Sequence, residues 1–257
     1  MSSFPRLMDF DFKNLLHWFA ALLIAGTLLV FIVFPILTYF GFFGTDITGQ
    51  IPNLSESFQL FFEIFTLVLQ GILVVVLLII FPFAWYNLVN KKSWKQMVSS
   101  IKLKTEQLDM AFLWGFITAI VAFGMVIVVG LLLTFVGIDV ENASNIKDLE
   151  ALFSIPSMLI LITLQPIAEE FFFRGFLLDK LNRITGVIPA IIISSVLFGL
   201  AHLSYGNLYP AVLTGVIAVI LAVGMVRTKN LTAAIIAHIL FNLASFTFYV
   251  IGTEFIT

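Results

Sequence analysis

The sequence of 257 residues has no cysteine and only three histidines. The first absence excludes disulfides, thiolate nucleophiles and cysteine metal ligands. Charge is scarce too: Asp, Glu, Lys and Arg make up 11% of the chain, where soluble domains carry about 25%. With 61% hydrophobic residues and a mean hydropathy of +1.11, a soluble fold of this length would have too little polar surface to cover its core. Internal repeats, low-complexity tracts and a glycine-rich phosphate loop are also missing, and no nucleic-acid partner is expected. The N-terminus lacks a secretory signature, because its first apolar run is too long for a signal h-region, so the first helix is expected to stay.

What is present is a series of apolar runs of ~20 residues, the length that crosses a bilayer core. They predict an all-α, polytopic transmembrane bundle of about seven spans, at 15–43, 60–86, 110–136, 152–178, 187–202, 210–226 and 231–251. No soluble stretch is long enough for a second domain, so 1–257 reads as one transmembrane domain. Arg6, Lys13, Lys91, Lys92, Lys95, Lys102, Lys104, Lys180, Arg183, Arg227 and Lys229 all fall on one side of this arrangement. The opposite loops hold a single basic residue, Lys147. The positive-inside rule then puts the N-terminus in the cytoplasm and the C-terminus outside. Residues 91–108 read either as an amphipathic helix on the inner surface or as a solvated basic loop. His17, beside Trp18, reads as an interfacial anchor. Pro35, Pro82, Pro166 and Pro189 lie in or near spans, where neighbouring helices are expected to satisfy the freed carbonyls.

The fourth span places Glu169, Glu170 and Arg174 inside an apolar run. A charge at a membrane helix centre costs ~2.5–3.5 kcal/mol on insertion scales, and such groups face a partner or a cavity. Glu170 and Arg174 are i, i+4 and can neutralise each other. Glu169 lies about 100° further round the helix and is left facing something else. Candidates are on the next spans. Phe198 and His202 are i, i+4, so the ring can pack on the imidazole, and His238 and Asn242 share a face in the same way. Glu169 and His202 lie at equal distances from a hairpin tip placed at Thr185 and Gly186, ~25 Å along their helices. His238 is ~13 Å from its own basic turn, so the levels agree if the tip projects roughly 10 Å from the membrane. The turn after His202 then sinks into the bilayer, where irregular backbone requires protein or water around it.

A carboxylate, two imidazoles and a carboxamide in one place suit hydrolysis. Glu169 can serve as general base on a water, with His202 holding or deprotonating it. His238 and Asn242 can donate to the oxyanion of a tetrahedral intermediate. A metal version uses the same groups, since Glu169, His202 and His238 form a His₂Glu set suited to Zn²⁺; no spacing within one helix forces it. Two further readings stay open: polar glue between helices in a non-catalytic membrane protein, and a proton-coupled transporter.

The three motifs, Glu169-Glu170-x-x-x-Arg174, Phe198-x-x-x-His202 and His238-x-x-x-Asn242, resemble those of the CPBP family. These are the CAAX prenyl-protease type II and bacteriocin-processing intramembrane peptidases. The resemblance covers roughly residues 150–250, with the motif-bearing core at about 150–252. It implies an intramembrane endopeptidase in which Glu169 is the base, His202 its water-binding partner, and His238 with Asn242 the oxyanion donors. Glu170, Arg174 and Phe198 would be structural. The partners implied are a peptide or protein substrate, lipidated or membrane-embedded, and the lipid itself. No cofactor is expected to be required, with Zn²⁺ kept as the alternative, and a plasma-membrane location is expected.

Overall fold

The structure, a computed structural model, describes residues 9–42, 55–104, 106–137, 153–203 and 208–256. Among these, eight helices follow one another without a strand. They are α1 (Leu15–Tyr39), α2 (Glu56–Leu88), α3 (Trp94–Ser100), α4 (Leu108–Phe135), α5 (Ile155–Thr185), α6 (Val187–Leu200), α7 (Leu208–Thr228) and α8 (Leu231–Ile256). Six are long and apolar enough to cross a membrane, and α6 is shorter. The polytopic helical bundle expected from the sequence is therefore the architecture found.

Length separates α5 from α6. The 31 residues of α5 rise about 46 Å, well beyond the ~30 Å of a hydrocarbon core. The 14 residues of α6 rise only about 21 Å. The hairpin tip lies where the sequence placed it: α5 ends at Thr185, and Gly186 turns the chain with φ 84°. That backbone region favours glycine, which has no Cβ to clash. The residues 204–207 that follow His202 and Leu203 lie outside the described residues.

The proline expectation holds in two places. In α2 the π-helical turn Val76–Ile80 pairs the Phe81 N–H with the Val76 carbonyl. On that pairing the Leu77 carbonyl would next meet Pro82, which has no N–H. The Thr27 hydroxyl of α1 donates to it instead, at 3.0 Å. In α5, Pro166 likewise leaves the Ile162 carbonyl without its usual helical donor. Asn242 Nδ2 of α8 reaches that oxygen at 3.4 Å.

The described basic segments gather at one end of the bundle. Asn90 donates to Asp9 at 3.2 Å and accepts from Lys180 Nζ at 2.7 Å. The Leu231 N–H donates to the Lys102 carbonyl at 2.9 Å, and the Thr232 hydroxyl to that of Lys104 at 2.6 Å. Between the two readings of 91–108, the structure gives a short helix, α3, with Met97 and Ile101 buried. Ile101 sits so close to Gly175 that a Cβ there would lie 3.1 Å from it. His17 corrects an expectation. It is buried at 4% exposure and accepts from the Asp11 N–H at 2.8 Å, so it ties the entry segment to α1 rather than meeting lipid. Its neighbour Trp18 is exposed and donates to the Phe12 carbonyl at 2.9 Å. Arg6 and Lys147 lie outside the described residues.

Candidate active site

Three helices bring the motif residues together. On α5 the α-helical geometry gives way after Glu170 to a π-helical turn over Phe171–Leu177, in which every residue is buried. On α6, Gly199 lets the helix press against α7: a Cβ there would lie 2.6 Å from the Ala211 carbonyl and 3.1 Å from Gly215 Cα. Small residues allow such close helix crossings in lipid. This contact holds Phe198 and His202 against the other two helices.

Phe198 is the hub. Its ring is 1% exposed and meets His202 at 4.8 Å, His238 at 5.8 Å and Phe173 at 4.9 Å between centroids. The Arg174 guanidinium lies 4.3 Å from the same centroid, within cation–π range. Arg174 also binds Glu170, as the i, i+4 spacing predicts, and reaches the Ala218 carbonyl at 3.4 Å. Glu170 does more than the sequence implied. The oxygen that takes Arg174 also accepts from His238 Nδ1 at 2.9 Å. It therefore does not turn wholly away from the site: one carboxylate neutralises the arginine and orients the imidazole.

Glu169 is the other neighbour of that imidazole. Its Oε2 lies 3.8 Å from His238 Nε2, so the ring stands between two adjacent glutamates. Its Oε1 accepts from Gln165 Nε2 at 2.7 Å. His202 Nδ1 lies 2.8 Å from the Phe198 carbonyl. A carbonyl can only accept, so Nδ1 carries the hydrogen and the neutral ring keeps its lone pair on Nε2. Burial is uneven across the cluster. Glu169, Glu170, Arg174, Phe198 and His238 are buried, whereas Gln165, His202 and Asn242 are half-buried.

Six of the seven motif residues, Glu169, Glu170, Arg174, Phe198, His202 and His238, thus fall in one contact network. Asn242 is the outlying member, its amide donating to the Ile162 carbonyl one helical turn before Pro166. Sequence reasoning missed Gln70, which donates to Gln165 at 2.9 Å from α2. A polar residue in an apolar span was the available signal, but its partner lies 95 positions away. As for a metal, no group of three His, Asp or Glu side chains among the described residues is arranged to hold an ion.

No curated protein and no solved structure gives a significant match to this chain. Residues 151–244, which carry all three motifs, match the family model described as type II CAAX prenyl endopeptidase, Rce1-like, and so bear out the resemblance that those motifs carry.

Proposed function

We propose that the protein is an intramembrane endopeptidase that hydrolyses a peptide bond with a water activated by Glu169. One observation carries this reading: within the matched region, the Glu169 carboxylate and the His238 imidazole lie 3.8 Å apart in the same buried cluster as His202. As the water oxygen attacks the carbonyl carbon, Glu169 takes its proton, and His202, through Nε2, holds the water in place. The carbonyl π electrons move to oxygen. The imidazolium form of His238, whose Nδ1–H is given to Glu170, donates its Nε2–H to that oxyanion together with the second amide hydrogen of Asn242. When the intermediate collapses, the C–N bond breaks and Glu169 returns its proton to the leaving amine. The products are a carboxylic acid, which keeps the second hydrogen of the water, and an amine, and Glu169 ends ionised as it began.

The proposed route uses no metal, since side chains of this chain supply the base, the water holder and the oxyanion donors. Substrates are peptides or proteins presented at the membrane, lipidated or embedded. The gathering of the basic segments at one end supports an orientation with that end in the cytoplasm of a plasma membrane. The test is a substrate panel on purified protein in lipid vesicles. Peptides with and without a C-terminal prenylated cysteine motif are incubated with and without a zinc chelator. Cleavage that survives chelation is expected. Loss of cleavage on chelation, restored by Zn²⁺, would overturn the metal-free route.

A further inference from the structure

The hydrogen bonds of Glu169 lead out of the matched region. Gln165, one turn earlier on α5, donates to Glu169 Oε1 at 2.7 Å, and Gln70 of α2 donates to Gln165 Oε1 at 2.9 Å. Chemistry fixes the direction of this chain. An ionised carboxylate only accepts, so Gln165 must turn its NH₂ toward Glu169. Its carbonyl then faces Gln70, which must present its own NH₂.

The position of Gln70 is secured separately. Glu63, seven residues earlier and on the same helix face, accepts from the Ser154 N–H at 2.8 Å and from the Ser154 hydroxyl, at the residue that precedes α5. Leu67, between them, packs against the buried group of Phe153, Met158 and Phe246. By contrast Ile64, Phe65, Val68 and Leu69 are exposed on the other faces of α2. One polar stripe of α2 therefore sets its register on α5 at two points, and the second point is the amide that holds Glu169.

We propose that Gln70 and Gln165 are positioning residues for Glu169: an amide relay from α2 pins Oε1 and leaves Oε2, the oxygen beside His238, to take the proton from water. This rests on the reading of Glu169 as the base. It makes the site incomplete without α2, whose residues lie outside 151–244.

A double-mutant cycle tests it, on a peptide that the parent cleaves and Glu169→Gln does not. Gln165→Leu is expected to lower kcat about 10- to 100-fold with KM within about twofold, the usual scale for a lost orienting partner. Gln70→Leu should lower kcat about three- to tenfold, and the double variant should be no worse than Gln165→Leu, because Gln70 acts through Gln165. A merely structural role would instead add the two losses and lower the Tm in parallel. A folded Gln165→Leu protein with kcat within about twofold of the parent would overturn the relay, and so would a Gln70→Leu factor that multiplies in full. If Gln165→Leu does not fold, Gln70→Leu alone decides. Reduced kcat at unchanged Tm supports the relay, and unchanged kcat overturns it. Should Glu169→Gln cleave like the parent, the base assignment falls and takes the relay with it, a result separable from any glutamine result in a Glu169-dependent enzyme.

Discussion

On one face of α5, Glu170 is fully buried, with Arg174 and His238 on a single oxygen. On the next face, Glu169 is 6% exposed and is held by a neutral amide, with an imidazole 3.8 Å away. The two residues are adjacent in sequence and identical in chemistry, yet their partners differ in charge. A carboxylate bound to a guanidinium is already paired with a counter-charge. One held by an amide keeps its charge in a low-dielectric setting, where it can take a proton. On the proposed mechanism, this difference gives Glu170 the structural part and Glu169 the chemical one.

The largest expected effect comes from breaking the structural side. Glu170→Gln leaves Arg174 buried at 1% exposure without its counter-charge, and breaking a buried pair from one end typically costs about 3–5 kcal/mol. It also removes the acceptor that orients His238. Thermal unfolding in detergent is expected to show a large drop in Tm. A Tm like that of the parent would show that the pair does not hold the fold.

A smaller effect sharpens the comparison at its edge. Asn242→Ala removes the donor on the Ile162 carbonyl and should cost about 1–3 kcal/mol, the range for an orphaned buried acceptor. Pro166→Ala restores a backbone N–H to that carbonyl. In the Pro166→Ala background, the stability cost of Asn242→Ala should therefore shrink to about a third or less. Equal costs in both backgrounds would show that the carbonyl contact is not what Asn242 contributes to stability.

The smallest effect is a labelling contrast. The chain has no native cysteine, so Ser99→Cys on α3 gives a clean probe of sidedness with no change in function. Reaction with an impermeant thiol reagent only after the cells are opened is expected. Labelling of intact cells would reverse the orientation.

Contacts within one helix were legible from spacing alone. Glu170 with Arg174 and Phe198 with His202 follow from i, i+4 geometry, and the tip at Thr185 and Gly186 follows from polar residues and a glycine between two apolar runs. The meeting of Glu169 with His238 needed an argument about depth. Contacts that depend on how separate helices rotate against each other were not legible. Gln70 faces Gln165 because α2 docks through Glu63 on Ser154, and no local pattern encodes that register. The second bond of Glu170 was hidden for a related reason. Spacing identifies the nearest partner on the same helix but not the second claimant from α8. The π-helical turns were invisible too. Two of them end two residues before Pro35 and Pro82, but proline alone does not select a wide turn over a kink.

The central claim is that of two neighbouring glutamates only Glu169 acts on the substrate. Its most direct test is the turnover of folded Glu169→Gln protein in lipid, beside the parent. The substitution keeps the size of the side chain and removes the base. Loss of at least about 100-fold in kcat, the low end for a general base, is predicted, with a Tm within a few degrees of the parent. A folded Glu169→Gln protein that cleaves at the parent rate would contradict it.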